Sequence, residues 1–266
     1  MGDWDPRAYG HVNNLQQEVA RRALSDLMVS GDERVLDVGC GDGKVTALIM
    51  ERLTTGSLLG VDPSLPMVEA ARRRLSTASH AQFAVGTAAT LPYDAEFDLA
   101  TSFNALHWEI RWETALQRIR AALRPTGRAF LVFVCDGERP SIEDVTAETA
   151  RSARWASWFE EFDAPYVHVD PDVYAAAARS AGFAVERVVV DDLDWNFGTP
   201  TRFVEWSTAG LVAWTSRLPP EDQPPFVLDV VSAYAKIIGS PSVFRFLQCR
   251  VALTASDQET GSAASG

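Results

Sequence analysis

Three glycines stand at alternate positions in Val35-Leu-Asp-Val-Gly-Cys-Gly-Asp-Gly43, and a further acid, Asp62, ends the next apolar run. Glycines so placed let a backbone turn tightly and let a ligand lie against it, because no Cβ stands in the way. The apolar run before the loop reads as a strand and the residues after it as a helix. An acid at the end of the following strand is then placed to accept hydrogen bonds from ribose hydroxyls. The spacing is G-x-G-x-G, not the G-x-G-x-x-G of dinucleotide sites, and Gly43-Lys44-Val45 lacks the hydroxyl residue that follows Lys in a phosphate loop. Asp37 and Asp42 would repel a pyrophosphate. They suit a ligand with a positive charge and an ammonium group, and S-adenosylmethionine (SAM), with its ribose, amino acid and sulfonium, fits that description. The alternative is a glycine turn that only joins strand to helix.

The surrounding elements must place this loop. Polar arm and helix occupy residues 1–34, with Leu15, Val19, Ala23, Leu24 and Leu27 at helical spacing. Strands are expected at 34–38, 57–61, 82–85, 97–103 and 128–134. Helices are expected at 44–53, 65–75 and 112–123, the last stopped by Arg124-Pro-Thr-Gly127. This alternation indicates βαβ units and a parallel sheet covered on both faces. Beyond Cys135 the pattern changes. One long aromatic helix is expected over 142–162, another over 171–181 capped by Gly182, a β-rich run over 183–190, helices broken at Pro219-Pro220 and Pro224-Pro225 over 199–240, and a last strand over 244–254. Asp191, Asp192 and Asp194 read as a solvated turn, and the Ser/Gly/Ala tail from Ala255 as disordered.

Composition sets the outer bounds. The 266 residues are 47% hydrophobic and 23% charged, which excludes wholesale disorder and fibrous repeats. With 24 Lys plus Arg against 36 Asp plus Glu, the net charge is −12, unsuited to duplex nucleic acid or an anionic membrane. No apolar run approaches the roughly 20 residues of a membrane span, and the start lacks the basic-then-apolar pattern of a secretory signal. Three well-separated cysteines, Cys40, Cys135 and Cys249, point to reduced thiols and a cytoplasmic location. His11, His80, His107 and His168 lack ligand spacing with Cys or acids, so no metal is expected.

Residues 34–134 resemble the class I SAM-dependent methyltransferases. Leu36-Asp-Val-Gly-Cys-Gly-Asp-Gly43 is similar to their first motif, Val61-Asp62 to their second, and Leu116 to Gly127 to the helix and turn before their fifth strand. The resemblance implies a doubly wound, mostly parallel α/β fold of seven strands with a reversed last strand, here with a helical cap. The expected division is an arm and helix over the active site (1–30), a SAM-binding core (31–135), a cap (136–182) and C-terminal strands with inserted helices (183–254). It further implies that Asp37 and Gly39, Cys40 and Gly41 hold the methionine end. Asp62 takes the ribose, Ser64 and Met67 flank the adenine, and Thr87, Ala88 and Phe103 complete the site. Where the family often places an Asp after the third strand, this chain has Gly86-Thr-Ala-Ala89, so Thr87 or a backbone carbonyl must substitute.

Two segments bear on the methyl acceptor, Ser102-Phe-Asn-Ala-Leu-His-Trp108 and Tyr9-Gly-His-Val-Asn-Asn-Leu-Gln16. Together they resemble the juvenile hormone acid, trans-aconitate and fatty acid carboxylate methyltransferases, whose Gln and Trp near the methyl group correspond to Gln16 and Trp108. A carboxylate is already ionised at neutral pH and needs alignment, dryness and neutral donors, not a base. The reading is methyl transfer from SAM to the carboxylate of a small lipophilic acid. A hydroxyl or carbon acceptor, with His107 as general base, stays open, as does a SAM-binding protein without catalysis. Trp155, Trp158, Phe159, Phe162 and Tyr166 either pack a helix on the domain or line an apolar pocket.

Overall fold

The computed structural model describes residues 14–256. The arm before Asn14, with Tyr9 to Asn13, and the tail from 257 lie outside the described residues. Seven strands form one sheet: β1 (Arg34–Val38), β2 (Ser57–Asp62), β3 (Ala81–Val85), β4 (Phe97–Phe103), β5 (Leu123–Val134), β6 (Phe183–Asn196) and β7 (Val243–Ala255). Their order is β3-β2-β1-β4-β5-β7-β6, with β7 antiparallel to both neighbours and the pairs from β3 to β5 parallel. The order reverses between β1 and β4, the kind of crevice where open α/β sheets bind ligands.

The helices are α1 (Asn14–Leu24), α2 (Lys44–Met50), α3 (Leu65–Arg74), α4 (Trp112–Ala122), α5 (Ile142–Ala150), α6 (Pro171–Ser180), α7 (Pro200–Gly210), α8 (Val212–Thr215) and α9 (Gln223–Ile238). Alternation along the strands builds the two-sided core. Val35, Phe130 and Val132 face α1 and α2, packing with Ala23, Leu24 and Ile49. Leu36, Leu131 and Phe133 point the other way, onto Leu116 and Ile119 of α4 and Tyr174 and Ala178 of α6. A second core, rich in aromatic residues, gathers Leu15 and Val19 of α1, Ile142 of α5, Trp155, Phe203, Trp214, Phe226, Tyr234 and Phe244.

Helix ends follow their sequence signals. Ser64 accepts from Met67 N at the head of α3, with Pro66 in the first turn. Ser141 and Asp144 form a capping box on α5. Asp170 caps α6 by accepting from Asp172 N and Val173 N.

Four expectations are corrected. The helix expected over 142–162 ends at Ala150, and a single 3-10 turn (Ala156–Trp158) follows, so the aromatic spacing reflects packing of a bent segment and not one continuous helix. Strand β5 starts at Leu123 and not at Arg128: Leu123 pairs with Phe97, Arg124 to Gly127 bulge out of the ladder, and pairing resumes at Arg128 opposite Leu99. Strand β6 runs to Asn196, and β7 to Ala255. Asp191 and Asp192 are therefore strand residues, held by Arg250 and by Arg139 and Arg245. Pro224 and Pro225 open α9, where a missing N–H costs nothing, instead of breaking a helix.

Besides the packing of Phe244 and Phe246, one hydrogen-bonded side chain ties the reversed strand to the second core. Tyr234 Oη of α9 donates to Arg245 O at 2.5 Å and accepts from Arg245 N at 3.1 Å, with its ring fully buried. Tyr234→Phe leaves both backbone groups unpaired, so a loss of about 1–3 kcal/mol is expected in urea unfolding of the purified protein.

Candidate functional site

The first loop is built by contact. Gly39 N and Cys40 N both donate to Val61 O, and Gly39 has φ +76°. A Cβ on Gly39 would stand 2.1 Å from Ala105 Cβ, so this glycine lets the turn after β4 press against the loop. Gly41, at φ +53°, has nothing within 4 Å of where its Cβ would be. Its open side is the surface a ligand can approach. Gly41 N donates to Asp62 Oδ2 at 2.9 Å and Ser64 N to Asp62 Oδ1 at 2.9 Å, which leaves each carboxylate oxygen a further lone pair for a hydroxyl.

Asp37 is buried beneath the loop. Thr46 Oγ1 donates to its Oδ2 at 2.6 Å and Thr101 Oγ1 to its Oδ1 at 2.9 Å. Burial outweighs these bonds and pushes its carboxyl from an ordinary 3.8 up to about 6, with Asp62 adding repulsion. Burial also raises Asp62, against the pull of its two backbone donors. Among the described residues neither acid is relieved by a Lys or Arg, since Lys44 and Arg74 pair with Asp42 instead. The same burial, with Asp37 and Asp62 nearby, holds the Cys40 thiol protonated. A buried acid and a half-buried one, without a cation among the described residues and next to an open glycine, fit a ligand carrying positive charge and a ribose.

Across the crevice, Asn104 takes φ +53°, a conformation its short polar side chain tolerates. Asn104 N donates to Val132 O, and Gln248 Nε2 of β7 donates to Asn104 Oδ1 at 3.0 Å. This turn delivers the 3-10 segment Leu106–Trp108 to the cavity. Val134 N donates to His107 Nδ1 at 3.4 Å, so the ring proton sits on Nε2. Burial, and secondarily His168, lowers His107 to about 3 and keeps the imidazole neutral.

A cavity of about 270 Å³ joins these parts. Asp37, Gly39, Cys40, Gly41 and Asp62 line it, as do Met67, Thr87, Ala88 and Phe103. His107 and Trp108 line it from the β4 side, and Leu15, Val19 and Ala20 from α1. Ser64 does not reach it; its hydroxyl is spent as the cap of α3. The Thr87 hydroxyl is shared with Thr90 Oγ1 at 2.9 Å in a local capping box. Gln16 lies on α1 beside Leu15, but its side chain is outside the described residues. Of the expected aromatic lining, none of Trp155, Trp158, Phe159, Phe162 and Tyr166 faces the cavity; Trp155, Phe159, Phe162 and Tyr166 pack in the second core. The roof comes instead from Ile142 and Glu143 of α5, Trp206 and Leu211, and Phe244 and Phe246 of β7. No local motif marked these residues, because only packing of the inserted helices brings them over the loop. Among the described residues no group of His, Cys, Asp and Glu could hold a metal, and no helix is long and apolar enough to cross a membrane.

Residues 35–127 match the profile of a methyltransferase domain. A trans-aconitate 2-methyltransferase of Methylobacterium nodulans is 30% identical over 178 residues, covering 62% of this chain and 67% of that protein. One of Variovorax paradoxus is 32% identical over 157 residues, and the match spans 59% of each chain. The solved structure of the YcgJ protein from Bacillus subtilis superposes with a TM-score of 0.64 at 18% identity, covering 94% of this chain and all of that one.

Gly39 and Gly41 should separate by experiment. Gly41→Val should lose SAM binding in calorimetry because the side chain fills the ligand's approach, with only the moderate loss of stability that a β-branched residue brings at φ +53°. Gly39→Val should lower the melting temperature even without ligand, because it drives Ala105 away. Asp37 yields a pH test. Its folded carboxyl titrates near 6 and its unfolded one near 3.8, so the fold alone holds the proton between these values. Stability of the ligand-free protein should therefore fall as pH rises through that window, by on the order of 3 kcal/mol. Asp37→Asn should remove the fall, stabilise the ligand-free protein at pH 8 by about 1–3 kcal/mol, and weaken SAM binding.

Proposed function

We propose, for a chain that belongs to the class I SAM-dependent methyltransferases, that the methyl group goes to the carboxylate of a small lipophilic acid and yields a methyl ester. SAM is the cofactor. When bound it supplies an activated methyl group whose departure leaves the bonding pair on sulfur. Asp62 would take the ribose and Asp37 the positively charged end, with Gly39 to Gly41 against the methionine portion. Met67, Thr87, Ala88 and Phe103 would border the adenosine.

One observation carries the acceptor reading: away from the glycine loop the cavity wall is largely apolar, its two acids Glu109 and Glu143 bring no positive charge, and Trp108 and His107 offer neutral donors. Leu106, Ile142, Trp206, Leu211, Phe244 and Phe246 supply the apolar wall. Lys44 is the one Lys or Arg among the described lining residues, and it stands 3.4 Å from Asp42. Trp108 Nε1–H and the Nε2–H of neutral His107 can hydrogen-bond an anion without quenching its nucleophilicity as a guanidinium would. Such a wall orients the carboxylate and excludes water, and that is all this acceptor requires. A ring held neutral until about pH 3, with Nδ1 already accepting, is a poor general base. That weighs against the hydroxyl alternative in which His107 removes a proton. The relatives named for trans-aconitate support carboxylate chemistry, and the match spans about three fifths of the Variovorax relative. Gln16 would join Trp108 at the acceptor from α1.

With methyl-labelled SAM and a panel of free acids, the product should release its label as methanol in mild alkali, whereas an ether or C-methyl product keeps it. Trp108→Phe should lower kcat by about tenfold or more while SAM affinity stays within about twofold, because the indole acts on the acceptor. An alkali-stable product would overturn the carboxylate reading.

A further inference from the structure

The proposed acceptor has to lie against a second carboxyl group. Glu143, in the first turn of α5, lines the cavity with its side chain 13% exposed. His168 sits behind it. Neither ring nitrogen of His168 has a hydrogen-bond partner in the described structure, and Nε2 stands 3.9 Å from Glu143 Oε2. The His168 ring lies 6.0 Å from that of His107, so the pair belongs to the His107–Trp108 end of the cavity. The titratable groups facing Glu143 are His168 and Tyr166 from the segment before α6, Asp144 on its own helix and Tyr234 of α9. None is a Lys or Arg. Burial raises the Glu143 carboxyl above its ordinary range, with His168 opposing.

A carboxylate brought into this dry corner meets a like charge, and two carboxyl groups so placed hold one proton between them. We propose that Glu143 is an acceptor-binding residue that shares a single proton with the substrate's carboxyl group, with His168 as the positioning residue behind it. The inference rests on the carboxylate reading above. The proton is already on Glu143 or comes from solvent as the acid binds. It donates to the substrate oxygen that does not react, leaves the other oxygen's lone pair for the methyl group, and remains on Glu143 when the ester forms. The cavity therefore takes the acid as a monoanion plus a proton. A second carboxylate, as in the tricarboxylate named for the relatives, finds no cation among the described lining residues except Lys44, which Asp42 holds.

The test uses the full chain loaded with S-adenosylhomocysteine. The probe is whichever of the straight-chain acids from butanoate to dodecanoate, or phenylacetate, is esterified fastest. Its binding is measured by calorimetry from pH 6 to 9 in buffers of different ionisation heat. Wild-type affinity should fall towards tenfold per pH unit at the alkaline end, with uptake of up to one proton. In Glu143→Gln, which donates without titrating, both the slope and the uptake should vanish. Glu143→Ala should bind at least tenfold more weakly at pH 6. His168→Gln should move the wild-type fall to higher pH without changing its steepness. Equal slopes and uptake in wild type and Glu143→Gln overturn the assignment while ester formation leaves the carboxylate reading standing. If no acid is esterified and a phenol is methylated instead, both fall.

Discussion

Two carboxylates withheld from water at neighbouring strand ends organise this molecule. Asp37 and Asp62 lie at the carboxyl ends of β1 and β2, and no cation among the described residues relieves either. Burying a charge is costly unless it is bonded. The structure offsets part of that cost with Thr46 and Thr101 on one acid and the backbone of Gly41 and Ser64 on the other. The same bonds that keep these acids tolerable also hold the glycine loop in shape. What remains unfavourable in the empty protein is what a cationic ligand relieves, so the strain and the affinity have one source.

The loop works only because a second turn is pressed against it. Gly39 admits Ala105 at a separation no side chain would permit, and Asn104 reverses the chain so that His107 and Trp108 follow into the crevice. Gln248 reaches from the reversed strand to hold Asn104. The antiparallel β7 thus does more than close the sheet, since Phe244 and Phe246 also roof the cavity. The aromatic core of α7 to α9 brings that roof down. Trp155, Phe159 and Phe162 stabilise this core without touching the cavity.

The acceptor end is defined by the charge it lacks. A wall of aromatic and aliphatic side chains, one tethered Lys and two largely buried acids, Glu109 and Glu143, makes an environment in which an anion is stable only with a proton or a neutral donor. Under the proposed carboxylate reading, such a wall would suit acids with a single carboxyl group and an apolar remainder.

The sheet and its cofactor end were legible in the sequence because they rest on local signals. Alternating apolar runs, the G-x-G-x-G turn and an acid at the next strand end are each set within a few residues, so β1 to β4 and the loop are where the pattern puts them. Asp191 to Asp194 misled because turn-forming composition was overridden by ladder pairing with β7, whereas Arg124 to Gly127 keep their irregularity as a bulge inside β5. Ser64 carries a local signal with two meanings, and capping took it. The roof residues Glu143, Trp206 and Phe244, drawn from three distant segments, were not legible. No spacing links them. Only tertiary packing puts an acid, a histidine and an apolar wall over the same few ångströms, and that juxtaposition, not any residue's type, decides which acceptor the cavity can hold.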